Sequence, residues 1–242
     1  GRKVVSRKVN RYELVEEVEQ IHPQLVAMEA CGGAHHFGRI FAEKGFAVKM
    51  MAPARVTAYR SSGKKNDAVD AAAIAEAGAR ANVPKITVKS AWQQDLASLQ
   101  RLRTLQVRQR TALSNQIRGL LMEYGVVMSQ GHAALREKLC GLLNGQEEAP
   151  SLSACLREEL STVQQQLRTL EQEIDRLETR IIGLLGDHEI AQRLQTVPGV
   201  GPLTAAAVLS TVANPSDFKS GRALSAYLGI VPKQHSTGGK TT

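Results

Sequence analysis

The sequence predicts an α/β domain followed by an all-α region, and three patterns carry that expectation. Over residues 1–90, short apolar runs alternate with stretches of helical period, the rhythm of strand–helix–strand units with an at least partly parallel sheet. Residues 91–190 read as a long basic helix and, beyond a linker, a coiled-coil segment. Over residues 191–242, a Pro/Gly turn separates short small-residue helices.

Taken in order, Val4-Val5 and the alternation to Val9 read as a strand, and Tyr12 to Ile21 as an acidic amphipathic helix. Leu25 to Met28, bounded by Pro23, reads as a buried strand that ends in Glu29. A helix from about Ala34 to Lys44 stops at Gly45, and Phe46 to Met51 forms the next strand, closed by Pro53. "KKNDAVDAAAIAEA" (64–77) opens an alanine-rich helix. Residues 92–124 read as one long helix carrying Arg101, Arg103, Arg108, Arg110 and Arg118 against only Asp95 and Glu123. That helix is either solvated on its charged side or laid along a phosphate backbone. Gly141 to Ser153 has the composition of a linker. Leu156, Leu160, Val163, Leu167, Leu170, Ile174, Leu177, Ile181 and Leu184 then form a heptad seam. The seam can pair with a second copy or fold back on the arginine-rich helix, and its narrowness favours a homo-oligomer, dimer or tetramer. "QTVPGVGPLTAAAVLSTV" (195–212) has the form of a helix–hairpin–helix, with Gly199 and Gly201 leaving backbone N–H groups open to a phosphate, or of a plain helical corner. Phe218 to Leu228 closes as a helix before a polar loop holding Lys233, His235, Ser236, Thr237 and Lys240.

Composition narrows the function. Lys and Arg exceed Asp and Glu by eight, a balance suited to a polyanion such as nucleic acid. Aromatics are only 4%, too few for a base-stacking platform. Cys31, Cys140 and Cys155 show no disulfide or metal spacing, and the six histidines show no zinc spacing. No apolar run approaches the roughly 18 residues that cross a bilayer, and no signal peptide is visible, so no membrane is expected and a reducing cytosol is.

The carboxylates carry the chemistry. Asp67 and Asp70 lie three apart at a helix start, on one face. Their like charges need compensation, from the helix N-terminus or, more strongly, from a cation such as Mg²⁺ or Mn²⁺. Alone, the pair reads sooner as an ordinary helix-start acid, Asp67, and a solvated one, Asp70, than as a metal site. Glu29 adds a third carboxylate where a buried strand gives out, the usual place for functional groups in an open α/β sheet, followed by small residues that leave room for a ligand. A strand-end Glu with a helical Asp pair is a constellation of the ribonuclease H-like, resolvase-like type.

The block "MEACGGAHHFGRIFAEKGFAVKMMAPARVTAYRSSGKKNDAVDAAAIAE" resembles the DEDD transposases of bacterial insertion sequences, of the one-ten and eleven-eleven families, with the related pilin-gene inverting recombinase. "VPGVGPLTAAAVLS" and "FKSGRALSAYLGIVPKQHSTGGK" resemble that family's second, transposase domain. The resemblance implies a RuvC-like, RNase H-fold first domain, a coiled-coil spacer and a helical C-terminal domain. It implies an acidic tetrad including Glu29, Asp67 and Asp70, whose remaining Asp belongs to a first strand that "GRKVVSRKV" does not supply, so both ends are expected to be cut. It implies a serine nucleophile in "KQHSTGGK": Ser236, or Thr237 by a shift of one position, with Lys233, His235 or Lys240 assisting. It also implies double-stranded DNA and a structured guide RNA as partners, on the bacterial nucleoid. Because pairing would then read the sequence, the protein would hold backbones, and Lys64, Lys65, Arg101, Arg103, Arg108 and Arg110 are the candidate phosphate contacts. The rival readings are a metal nuclease of the Holliday-junction resolvase type and a non-catalytic nucleic-acid-binding remnant.

Overall fold

The computed structural model describes residues 5, 7–60, 66–145, 152–230, 236–237 and 240–241. They belong to two compact units, residues 1–94 with 211–242, and residues 95–210.

The first unit is built on a small parallel sheet. Helix α1 (Leu14–Ile21) precedes strand β1 (Val26–Glu29), helix α2 (Ala34–Glu43) and strand β2 (Val48–Met51). β1 and β2 pair in parallel, with Glu29 opposite Met51 at their carboxyl ends. The crossover is α2, which ends at Lys44 and Gly45, the glycine having φ +85°. Pro53 starts a helix instead of merely closing the strand: α3 (Pro53–Thr57) takes it at the first turn, where its missing N–H costs nothing. Asn66 caps α4 (Asp67–Ala79), its side chain accepting from Val69 N–H at 2.9 Å. Ala73, Ala77, Met51, Val56 and Val83 make the core beneath, so the alanines serve to bring the helix close to the sheet. Gly78 takes this furthest: a Cβ there would lie 2.5 Å from the Ala27 Cβ.

Two expectations are corrected in this unit. Of the run Val4 to Val9, the described residues form no strand; Val5 is exposed and β1 pairs only with β2 among the described residues. A strand needs a ladder partner for its backbone groups, and the described residues of that charged run have none. β1 is half-buried along its length, not fully buried.

The second unit is helical. α5 (Ala91–Met122), α6 (His132–Leu143), α7 (Ala154–Leu185), α8 (Glu189–Gln195) and α9 (Pro202–Thr211) supply it. The stretch read as a linker from Gly141 to Ser153 is corrected at its start, because α6 runs on through a buried Gly141 to Leu143. Ser153 caps α7 by accepting from Leu156 N–H. The first half of the heptad seam takes the second of its two expected partners, the arginine-rich helix: Leu160 and Leu167, with Leu156 and Val163, pack against Ile117 and Leu121 of α5 and also against Leu135, Leu139 and Leu142 of α6. The chain thus covers this part of the stripe with its own helices. Arg136 of α6 meets Glu171 of α7 at 3.1 Å, and Arg103 of α5 meets Glu178 of α7 at 2.6 Å.

Back in the first unit, residues 211–217 are tied to residues 87–93. Gln93 Nε2 donates to the Val212 carbonyl at 3.2 Å, and Thr87 Oγ1 donates to Asp217 Oδ2. A 3₁₀ turn at Pro215–Asp217 leads to α10 (Gly221–Leu228), which starts three residues later than read, with Ser220 as its cap. Phe218 stacks at an angle on Tyr227. Two-residue strands β3 (Ser236–Thr237) and β4 (Lys240–Thr241) pair antiparallel where a loop was expected.

Candidate active site

The carboxyl edge of the parallel sheet positions the site. β1 delivers Glu29 as its last residue. β2 leads through α3 into a turn that ends in Arg60, whose backbone N–H donates to the Thr57 carbonyl at 3.1 Å. α4, held against β1 by its alanines and Gly78, brings in Asp70 from its first turn. The end of β1, the turn after α3 and the first turn of α4 thus place an acid, a base and an acid at one sheet edge.

Arg60 joins the two acids. Its Nη2 donates to Glu29 Oε2 at 3.4 Å, and its Nε lies 2.9 Å from Asp70 Oδ1. Both contacts leave one rigid planar guanidinium, so the two carboxylate oxygens stand within about 9 Å of each other. The three side chains are only partly exposed, Glu29 at 19% and Arg60 and Asp70 at 27% each. The contact to Asp70 is an ion contact and not an aligned hydrogen bond: Arg60 Nε and Asp70 Oδ1 are both buried without a hydrogen-bond partner.

Asp67 stands apart from this group. Its side chain is 93% exposed and its ion partner is Lys8, at 3.8 Å, an exposed pair of little energetic weight. Spacing of three residues therefore gives the two aspartates different surroundings, one in solvent and one against the sheet edge. Among the described residues no three His, Cys, Asp or Glu side chains group as metal ligands. Two hard carboxylates that already share one cation nevertheless suit Mg²⁺ or Mn²⁺, which commonly take one or two carboxylates and complete their shell with water and phosphate.

The other candidates are scattered. Ser236 and Thr237 form β3 and Lys240 begins β4, with their side chains outside the described set; Lys64, Lys65, Lys233 and His235 lie outside the described residues. On α5, Arg101 and Arg108 are exposed. Arg103 is committed to Glu178, and Arg110 is half-buried with its Nε unpaired. Gly199, with φ +85°, and Gly201 form the turn between α8 and α9, where Val200 N–H donates to the Val197 carbonyl at 3.0 Å. The residue that sequence reasoning missed is Arg60. Its only signal was a cation upstream of the aspartates, and Lys64 and Lys65 carried the same signal.

Comparison with known proteins gives this arrangement its context. The DEDD transposase model of the IS110 type matches residues 2–126, and the model described as the transposase IS116/IS110/IS902 family matches residues 191–242. A probable family 20 transposase of Pseudomonas aeruginosa is 42% identical over 238 residues, 98% of this chain and 70% of that protein. The transposase for insertion sequence element IS1111A of Coxiella burnetii is 38% identical, over 99% of this chain and 65% of its own length. The transposase for element IS1328 of Yersinia enterocolitica is 34% identical, over the whole of this chain and 71% of its own. The chain therefore spans about two thirds of the length of these relatives. With both family models matched in order and identity sustained from end to end, the chain belongs to the IS116/IS110/IS902 family of transposases.

Proposed function

We propose that this chain cuts and rejoins DNA strands with two sets of groups, a metal-holding carboxylate site on an RNase H-like sheet edge and a serine in the C-terminal segment. The observation that supports it best is the convergence of Glu29 and Asp70 on one cation position at the carboxyl edge of the sheet. A divalent ion held there would stabilise charge developing on a phosphoryl group. Glu29 and Asp70 hold the cation position, Glu29 fixed by the end of β1 and Asp70 by the capped first turn of α4. Asp67 joins them only in a state where its exposed side chain turns inward. Ser236 is the nucleophile: its Oγ bonds to phosphorus as the bond from phosphorus to one sugar oxygen breaks, and the hydroxyl proton ends on that oxygen. Attack by a sugar hydroxyl reverses the step and rejoins the strand.

The basic balance of the chain and the exposed Arg101 and Arg108 suit backbone contacts to DNA and to a structured RNA that reads the target by pairing. Among the described residues no helix is long and apolar enough to cross a membrane.

The test is a denaturing gel of the chain incubated with its element's DNA ends and Mg²⁺. A covalent protein–DNA adduct is expected, lost in Ser236→Ala, retained in Thr237→Ala, and reduced more than about a hundredfold in Glu29→Gln or Asp70→Asn. Cleavage without any adduct, unchanged by Ser236→Ala, would replace this reading with a resolvase-like metal nuclease.

A further inference from the structure

We propose that Arg60 is the resident counter-ion of the carboxylate site: it occupies the cation position between Glu29 and Asp70, and it must leave for a divalent ion to bind, passing to a nucleic-acid phosphate. The inference rests on the metal-site reading above and adds to it a coupling between metal and polyanion.

Charge sets the exclusion. Glu29 and Asp70 with Arg60 carry a net single negative charge, and a divalent ion added beside Arg60 would turn that into a net single positive charge in a site only about a quarter exposed. A guanidinium does not deprotonate, so it cannot relieve the repulsion by losing a proton. It can only move. Without either cation, the two carboxylates would face each other unpaired, which is the destabilised arrangement that Arg60 prevents.

The geometry makes departure easy. One contact is a 3.4 Å hydrogen bond, at the long end of the range, and the other is a close ion contact without hydrogen-bond alignment. Neither is the two-pronged fork that makes arginine–carboxylate pairs strong. The backbone of Arg60 is anchored to Thr57, so release needs only side-chain rotation. The freed guanidinium stays at the mouth of the site, where phosphate is a well-matched partner. A phosphate that takes Arg60 clears the carboxylates for the metal, and a metal that takes the carboxylates frees Arg60 for the phosphate. By linkage, each then tightens the other to the same degree.

Mn²⁺ binding to the full chain, followed by the electron paramagnetic resonance of free Mn²⁺ with and without a short DNA duplex, reads this without reference to activity. In the unmodified chain the duplex is expected to tighten Mn²⁺ binding about tenfold. Arg60→Gln is expected to bind Mn²⁺ tightly without duplex and to lose the duplex effect, while Arg60→Lys, which keeps a cation, stays weak. If Arg60→Gln binds Mn²⁺ no more tightly than the unmodified chain while Glu29→Gln abolishes binding, the metal site stands and the counter-ion proposal falls. If Glu29→Gln leaves Mn²⁺ binding unchanged, the metal reading falls and takes the proposal with it. Should circular dichroism show Arg60→Gln unfolded, the duplex effect on the unmodified chain decides: its absence overturns the coupling.

Discussion

His132 shows how one side chain can record the cost of its surroundings. It opens α6, and its Nδ1 lies 3.1 Å from Ser114 Oγ, a fully buried hydroxyl on α5 that also donates to the Arg110 carbonyl. Burial, first, and then the charges of Arg110 and Arg118 lower its pKa from the ordinary 6.5, with Glu171 acting weakly the other way. The sign follows directly. A lowered pKa in the folded chain means that the unfolded chain binds the proton more readily. Stability is therefore complete above about pH 6.5 and is lost as pH falls towards the folded-state value. Urea unfolding at pH 7.5 and 5.5 should show a loss at the lower pH, and His132→Asn should show a smaller one. An equal loss in both would assign the pH dependence elsewhere.

At the scale of elements, the approach of α4 to β1 decides where Asp70 stands. Gly78 faces the Ala27 side chain, and a methyl at Gly78 would sit 2.5 Å from the Ala27 Cβ, with neither methyl able to swing aside. Gly78→Ala gains about 1 kcal/mol of helix propensity against an overpacking cost of about 1–3 kcal/mol. A net loss of about 1 kcal/mol is expected in urea unfolding, and strand cutting should fall further than stability does, because α4 also carries Asp70 to Glu29. A more stable variant with normal cutting would show that the helix has room to spare. This packing also explains what was readable beforehand. The β1–α2–β2 unit was legible from its apolar runs and its Gly and Pro boundaries, and α4 from its alanine-rich run. The heptad stripe was legible as a stripe, and α5 as one of its two possible partners, but the cover from α6 was not. α6 itself went unread: Leu135, Leu139 and Leu142 have helical spacing, yet they sit next to a composition typical of linkers. Glu29 and Asp70 could be nominated from local pattern. Arg60 could not, because its role exists only once β2 and α3 have carried it to the far end of β1.

At the scale of the whole molecule, the excess of eight cations gives the chain an attraction to polyanions that does not depend on base sequence. Which cations act on a backbone is a question of what else holds them. Arg103 is engaged by Glu178 and stabilises the α5–α7 contact, whereas Arg101 and Arg108 stand exposed on the same helix. Each phosphate neutralised by a cation releases counter-ions, and the logarithm of duplex affinity falls with the logarithm of salt by about 0.9 per contact. The double change Arg101→Ala with Arg108→Ala should therefore weaken duplex binding to unrelated sequences alike and lower the salt slope by about 2. Arg103→Ala should leave the slope nearly unchanged and instead reduce resistance to urea, since it strands Glu178. Fluorescence anisotropy of a labelled duplex across a salt series measures both. If the double change left the slope intact and Arg103→Ala lowered it, the nucleic acid would have to displace Glu178 and run along the α5–α7 seam, and the exposed arginines would be bystanders.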